Sequence, residues 1–287
     1  MTAVLRHELR LYFRSLTAYV FGAFLLAFVG LGAMRYNIQA AVSNFEFVLG
    51  YISLIFVVIV PILTMRVLAE ERRQKTDQLL YALPITTVQV ILGKYLALLT
   101  VYLIPLCVVG IYPLVFSQYG DVYLPTAYGS LFAFFVMGAA LIALGVFLSS
   151  LTDNQGFAAG LGVAVILFNY YSVSLSEYVS STAFGSFAVL CVLSLVLAAV
   201  ISHLTRNDTF GYAIGGALLL VLGVCYFVNN AAFEGLLPNI MSQLSLFERF
   251  YTFVNGVFDM TAIIYYGSVI AFFLFLSVQS LEKRRYN

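Results

Sequence analysis

The densest run of charged side chains is Glu70-Glu71-Arg72-Arg73-Gln74-Lys75-Thr76-Asp77, and it holds no set of groups that makes or breaks bonds. His7 and His203 stand apart from each other and from any Ser/Asp partner, so no acyl-transfer triad forms, and no H-E-x-x-H is present. Cys107, Cys191 and Cys225 each sit alone in an apolar run, without the C-x-x-C or Cys/His spacing of a metal site or a disulfide framework. Gly93-Lys94-Tyr95 lacks the glycine-rich lead and the Ser/Thr of a phosphate-binding loop. These absences point to recognition rather than catalysis. The chain is expected not to be an enzyme and to hold no metal or cofactor of its own.

Three segments carry the recognition chemistry. In the first, residues 3–16, Leu5, Leu9, Tyr12, Phe13 and Leu16 share one helical face, and Arg6, Arg10 and Arg14 recur every four residues on a neighbouring one. This is the pattern of an amphipathic helix lying on a membrane surface, either as an orientation anchor or as a strut touching a cytoplasmic partner. The second runs from Glu70 to Pro84. Glu71 and Lys75 have the order that favours a helical ion pair. Leu79, Leu80 and Leu83 form an apolar edge, and Pro84 stops the helix. Such a helix docks in a groove of another protein; the plainer alternative is a charged loop that fixes topology. The third is Leu244 to Asp259, where Leu246, Phe247, Phe250, Phe253, Val254 and Val257 recur at helical spacing. It predicts an outer amphipathic helix, a lid or packing element, with Glu248 and Arg249 in water or paired together.

The elements that position these segments are membrane spans. The chain is 62% hydrophobic and only 9% charged, whereas soluble domains carry about 25% charged residues, so much of its surface must face lipid. Apolar runs at roughly 17–36, 46–69, 95–117, 127–151, 156–175, 184–204, 211–229 and 262–281 predict an all-α integral membrane protein of about eight helices. The run from Thr17 is too long for a signal peptide's apolar region, and it is read as a retained span. With eight spans, Arg6, Arg10, Arg14, Arg66, Arg72, Arg73, Lys75, Lys94, Arg206, Lys283, Arg284 and Arg285 fall on one side and only Arg35 and Arg249 on the other. The first side is then cytoplasmic and holds both termini. A six-span alternative, with 184–229 re-entrant or peripheral, preserves the same parity. Gly156/Gly160 and Gly211/Gly215 offer G-x-x-x-G faces for close helix approach. A net charge of +1 provides no field for nucleic acid.

Four stretches resemble the permease subunits of type-2 ABC exporters, in particular the branch named after the gliding-motility permease. They are HELRLYFRSLTAYVF (7–21), PILTMRVLAEERRQKTDQLLYALPIT (61–86) followed by Leu92-Gly93-Lys94-Tyr95, FLSSLTDNQ (147–155), and LSLFERFYTFVNGVFD (244–259) with LFLSVQSLEKRR (274–285). The resemblance implies one transmembrane domain over 1–287 that pairs with a second copy or a paralogue in a bacterial plasma membrane. It also implies separately encoded ABC ATPase subunits that bind ATP and magnesium. It makes Glu70, Glu71, Arg72, Arg73, Lys75, Thr76, Asp77, Leu79 and Leu80 part of a coupling helix, and residues 3–16 the interface helix beside it. Phe247, Glu248, Arg249, Phe250 and Asp259 would belong to outer helices capping the translocation path. Two features depart from the family pattern. The pair at 184–229 exceeds six spans, and Lys75-Thr76-Asp77-Gln78 stands where relatives have Gly-Thr and then a carboxylate. The competing readings are a non-transporting scaffold, immunity or sensory component, and an ion-coupled secondary transporter. The scarcity of carboxylates inside the later spans weighs against the latter.

Overall fold

Once apolar runs of this length enter lipid, their backbone N–H and C=O groups must be satisfied within the segment, and the helix does this along a single chain. The structure, a computed structural model, describes residues 1–75, 85–179, 181–205 and 208–285. The described residues form helices and turns, with no strand among them. Helix α1 (Thr2–Arg14) precedes α2 (Thr17–Ala33), which is prolonged by a π-helical turn, Met34–Gln39. The next span is assembled from α3 (Glu46–Ile52), a 3₁₀ turn Ser53–Ile55, α4 (Phe56–Thr64) and α5 (Ala69–Arg73). Then come α6 (Thr87–Val109), α7 (Tyr112–Phe116), α8 (Leu124–Ser149), α9 (Gln155–Tyr178), α10 (Ala183–Thr205), α11 (Asp208–Val228), α12 (Leu236–Leu244), α13 (Leu246–Val254) and α14 (Met260–Arg285).

Six described segments are long and apolar enough to cross a membrane: Thr17–Gln39, Glu46–Arg73, Thr87–Phe116, Leu124–Ser149, Gln155–Tyr178 and Met260–Lys283. The protein is an all-α, multi-pass membrane protein. The two further spans expected from the sequence coincide with α10 and α11, and neither qualifies alone. The described apolar part of α10, Ala183–Val196, is shorter than a span, and Gly215–Val228 qualifies only with Asn230–Leu244, across a bend of 117°. Among the described residues the count by length and composition is six, or seven with the bent pair.

The chain divides into two compact units, residues 1–170 with 249–287, and residues 171–248. In the first, α8 packs against α4, α6 and α14. Its centre is aromatic: Phe56 lies 4.6 Å from Phe134 and 5.9 Å from Tyr102, ring centre to ring centre. Tyr102 is fully buried and donates its hydroxyl to the Phe134 carbonyl at 2.8 Å, and Tyr95 donates to the Ala139 carbonyl at 3.1 Å. Both phenols thus satisfy their polar end on the next helix. In the second unit α10 and α11 lie along each other, and Gly215 meets Ala198 so closely that a Cβ on it would fall 2.5 Å from the alanine's. About three turns further along the same helix pair Phe187, Tyr226 and Phe233 cluster, with Phe187 and Tyr226 stacked at 4.5 Å.

Of the two sequence G-x-x-x-G pairs, Gly156/Gly160 does not mark a contact within the described chain: nothing lies within 4 Å of a Cβ built on Gly160. Gly138 is where small size is needed, because a Cβ there would sit 2.5 Å from the Tyr102 hydroxyl oxygen. Gly138→Ala is expected to destabilise by about 1–3 kcal/mol through overpacking, whereas Gly160→Ala, with open space around it, should stabilise by up to about 1 kcal/mol through helix propensity. Thermal unfolding of both variants in detergent checks the contrast.

Candidate functional site: the charged end of the bundle

The span Glu46–Arg73 loses its helical hydrogen bonding between α4 and α5, and the break is mended from another helix. Ser149, in the last turn of α8, accepts from the backbone N–H groups of Leu68 and Ala69, each at 3.2 Å, and its hydroxyl reaches the Met65 carbonyl at 3.2 Å. Buried backbone groups freed by a helix break need such a partner. The next residue of α8's end, Ser150, offers its carbonyl to the Arg72 guanidinium and, at 3.0 Å, to the hydroxyl of Ser280 in α14. At this end of the bundle the start of α6 is also tied to α14, by Thr87 donating to Glu282 at 2.7 Å.

Within this layer lies a buried ion set. Lys94, two turns into α6, is 1% exposed. Its Nζ lies 2.7 Å from Glu8 of α1 and 2.6 Å from Glu71 of α5. Glu8 is itself buried, and Tyr12, one turn further along α1, is buried with it. Burial, reinforced by the Glu8 and Glu71 charges, holds the Tyr12 hydroxyl well above its usual pKa. Gly93 makes the geometry attainable: a Cβ on it would fall 2.9 Å from a Val4 methyl, so only a glycine lets α1 settle this closely on α6. A more exposed pair flanks the set, Arg66 to Glu70 at 2.9 Å, with Arg66 also reaching the Thr17 hydroxyl at 3.3 Å. One ammonium therefore joins three chain segments.

The residues predicted for a coupling helix divide accordingly. Glu71 and Arg72 are turned inward, onto Lys94 and Ser150. Glu70 pairs with Arg66, while Arg73 and Lys75 are exposed. The expected Glu71–Lys75 pair is not formed, because α5 ends at Arg73 and Lys75 has a left-handed backbone, φ 56°. Thr76, Asp77, Leu79 and Leu80, with Leu83 and Pro84, lie outside the described residues. Arg6, Arg10 and Arg14 are exposed. They lie opposite the Glu8–Tyr12 face that α1 buries, not beside the buried face as the apolar pattern suggested.

At the other end of the same span, Phe250 is fully buried against Phe134, with ring centres 5.7 Å apart. Phe247 is also buried. Arg249 places its guanidinium 4.1 Å above the Tyr265 ring. Asp259 accepts from the Thr261 N–H at 2.8 Å and so caps α14. Glu248 lies in the first turn of α13 and its N–H is held by Ser245, 3.2 Å away. Among the described residues no group of His, Cys, Asp and Glu is placed to hold a metal ion.

Lys94 and Glu8 were missed as a pair in the sequence, though each leaves a trace there. Glu8 falls on the apolar side of the α1 helical wheel, and Lys94 is a lone cation at the head of an apolar run. Both are costly to bury unless they meet an opposite charge.

With this geometry in place, the comparisons decide the family. Residues 30–176, which are 147 of the 287, match the family described as ABC-2 family transporter protein. The chain belongs to the ABC-2 transporter family. It is a membrane permease of an ABC transporter. The match takes in the Glu46–Arg73 span, α6, α8 and nearly all of α9, including Glu71, Lys94 and Ser149, while α1 with Glu8 precedes it. Comparisons with curated proteins and with solved structures each returned no match.

Lys94→Met leaves the buried Glu8 carboxylate without the cation it faces, and the permease is expected to lose about 3–5 kcal/mol of stability. Combining it with Glu8→Gln should cost less than the two changes summed, because the pair shares one interaction. A double-mutant cycle on thermal unfolding in detergent measures the difference; strict additivity would remove the ion pair from this account.

Proposed function

We propose that this permease is the transmembrane subunit of an ATP-driven exporter of the gliding-motility type. It pairs with a second copy or a paralogue over separate ATPase subunits, which bind ATP and magnesium, and it performs no chemistry of its own. The observation that carries the reading is the convergence of α1, α5 and α6 on Lys94 at the end of the bundle from which segment 76–84 departs. A push delivered to the 70–84 segment reaches α5 directly. It reaches α6 through Glu71–Lys94 and α1 through Lys94–Glu8. It reaches α8 and α14 through Arg72, Ser150 and Ser280. Buried polar contacts of this kind carry displacement between helices better than a solvated loop does. The exposed Arg73 and Lys75 are left to meet the ATPase. The excess of Lys and Arg at this end supports its placement in the cytoplasm, with both termini.

Co-purification from native membranes with mass-spectrometric identification tests the assignment. A stoichiometric subunit carrying a P-loop is expected. Recovery of the chain alone, or with a partner that binds no nucleotide, would replace the exporter with a membrane scaffold. Within the complex, reversing the charges of Arg73 and Lys75 to Glu should reduce ATPase recovery without moving the permease's unfolding temperature. Gln74→Pro should uncouple ATP hydrolysis from transport, since it removes the N–H that closes the end of α5 on the Glu70 carbonyl at 3.0 Å and disfavours helical backbone at Arg73.

A further inference from the structure

Helix α1 is held to the bundle along one side and carries unspent charge along the other. Arg6, Arg10 and Arg14 follow one another every four residues, so neighbouring guanidinium groups are offset by only about 40° around the axis. All three are exposed, and no described carboxylate pairs with them. The buried Glu8 and Tyr12 occupy the opposite side.

The arginine side continues into exposed apolar surface. Phe13 borders the stripe, and its ring meets Tyr19 of α2 edge-on with centres 6.2 Å apart. Tyr19 is 59% exposed in the first turn of a membrane span, and Leu16 beside it is 78% exposed. Tyrosines at span ends sit at the level of lipid headgroups. Only Ser15 and Leu16 separate α1 from α2, so Arg14 cannot leave that level. A guanidinium presents a planar fork of donors that matches phosphate oxygens, and a row of them beside apolar side chains suits an acidic bilayer surface.

We propose that Arg6, Arg10 and Arg14 bind the phosphate headgroups of acidic phospholipids and hold α1 on the membrane surface from outside, as Lys94 holds it from within. The proposal does not depend on the exporter assignment, because lipid contact needs neither cargo nor ATPase.

The chain contains no tryptophan, so Phe13→Trp in the full-length protein places a single tryptophan, excited selectively over the tyrosines, at the edge of the stripe. The variant is reconstituted in mixed phosphatidylcholine and phosphatidylglycerol vesicles, with bromine on the acyl chains of one lipid or the other at equal mole fraction. Each basic side chain near an acidic surface favours that contact by about fivefold, so brominated phosphatidylglycerol should quench several-fold more strongly than brominated phosphatidylcholine. Replacing all three arginines with Gln should bring the ratio to one. Equal quenching in Phe13→Trp itself overturns the proposal. So does a preference that survives the Gln replacements, since the acidic lipid would then be held elsewhere. Absence of quenching by either lipid also overturns it, and shows this face covered by protein.

Discussion

An ammonium group withdrawn from water at the end of an apolar bundle has to be surrounded by acceptors, and here the acceptors come from different parts of the chain. Lys94 takes Glu8 from the first helix and Glu71 from the end of the second span. Glu8 cannot be left buried without it, and it cannot be buried without its carboxylates. Close approach at Gly93, the inward turn of the Glu8–Tyr12 face and the position of α5 all follow from bringing three charges together. The neighbouring polar contacts, Ser149 over the helix break and Ser150 beneath Arg72, extend this layer to α8 and α14. Below it the bundle is apolar and aromatic, with phenol hydroxyls of Tyr95 and Tyr102 as polar points that find backbone carbonyls.

Much of this architecture is written in local pattern. Membrane spans are legible because lipid imposes one requirement on every residue of a run, so Leu124–Ser149 and Met260–Lys283 emerge from composition alone. The buried stripe of α13 is legible for the same reason: Leu246, Phe247, Phe250, Phe253 and Val254 are buried as their helical spacing requires. Val257 breaks the pattern because α13 ends at Val254 and Gly256 turns the chain through φ 81°.

The site was less legible because its contacts are not local. Glu71 lies 23 residues from Lys94, and no helical periodicity relates them. The local rule instead favoured Lys75, four residues away, and tertiary contact overrode it. The role of Ser149 was equally hidden, since a serine in an apolar run carries no mark of the distant helix break it repairs. Arg72 and Arg73 are adjacent and chemically identical, yet one is buried and the other exposed. The way α5 meets α8 decides which, and charge counting does not. The extra pair expected at 184–229 is present as α10 and α11, and the bend of 117° that follows Val228 left no mark in the sequence, because hydropathy measures length along the chain and is blind to direction.

The ion set also constrains the order in which the protein can be built. Glu8 is synthesised 86 residues before Lys94. At translation rates of about 5–20 residues per second, roughly 4–17 s pass before its cation exists. During that interval the first helix has a carboxylate on the side it must eventually bury, and it cannot give that side up to the apolar phase. It therefore waits at the aqueous boundary while two spans are inserted, and docks when the third arrives. A helix made early is thus held back until a later one arrives.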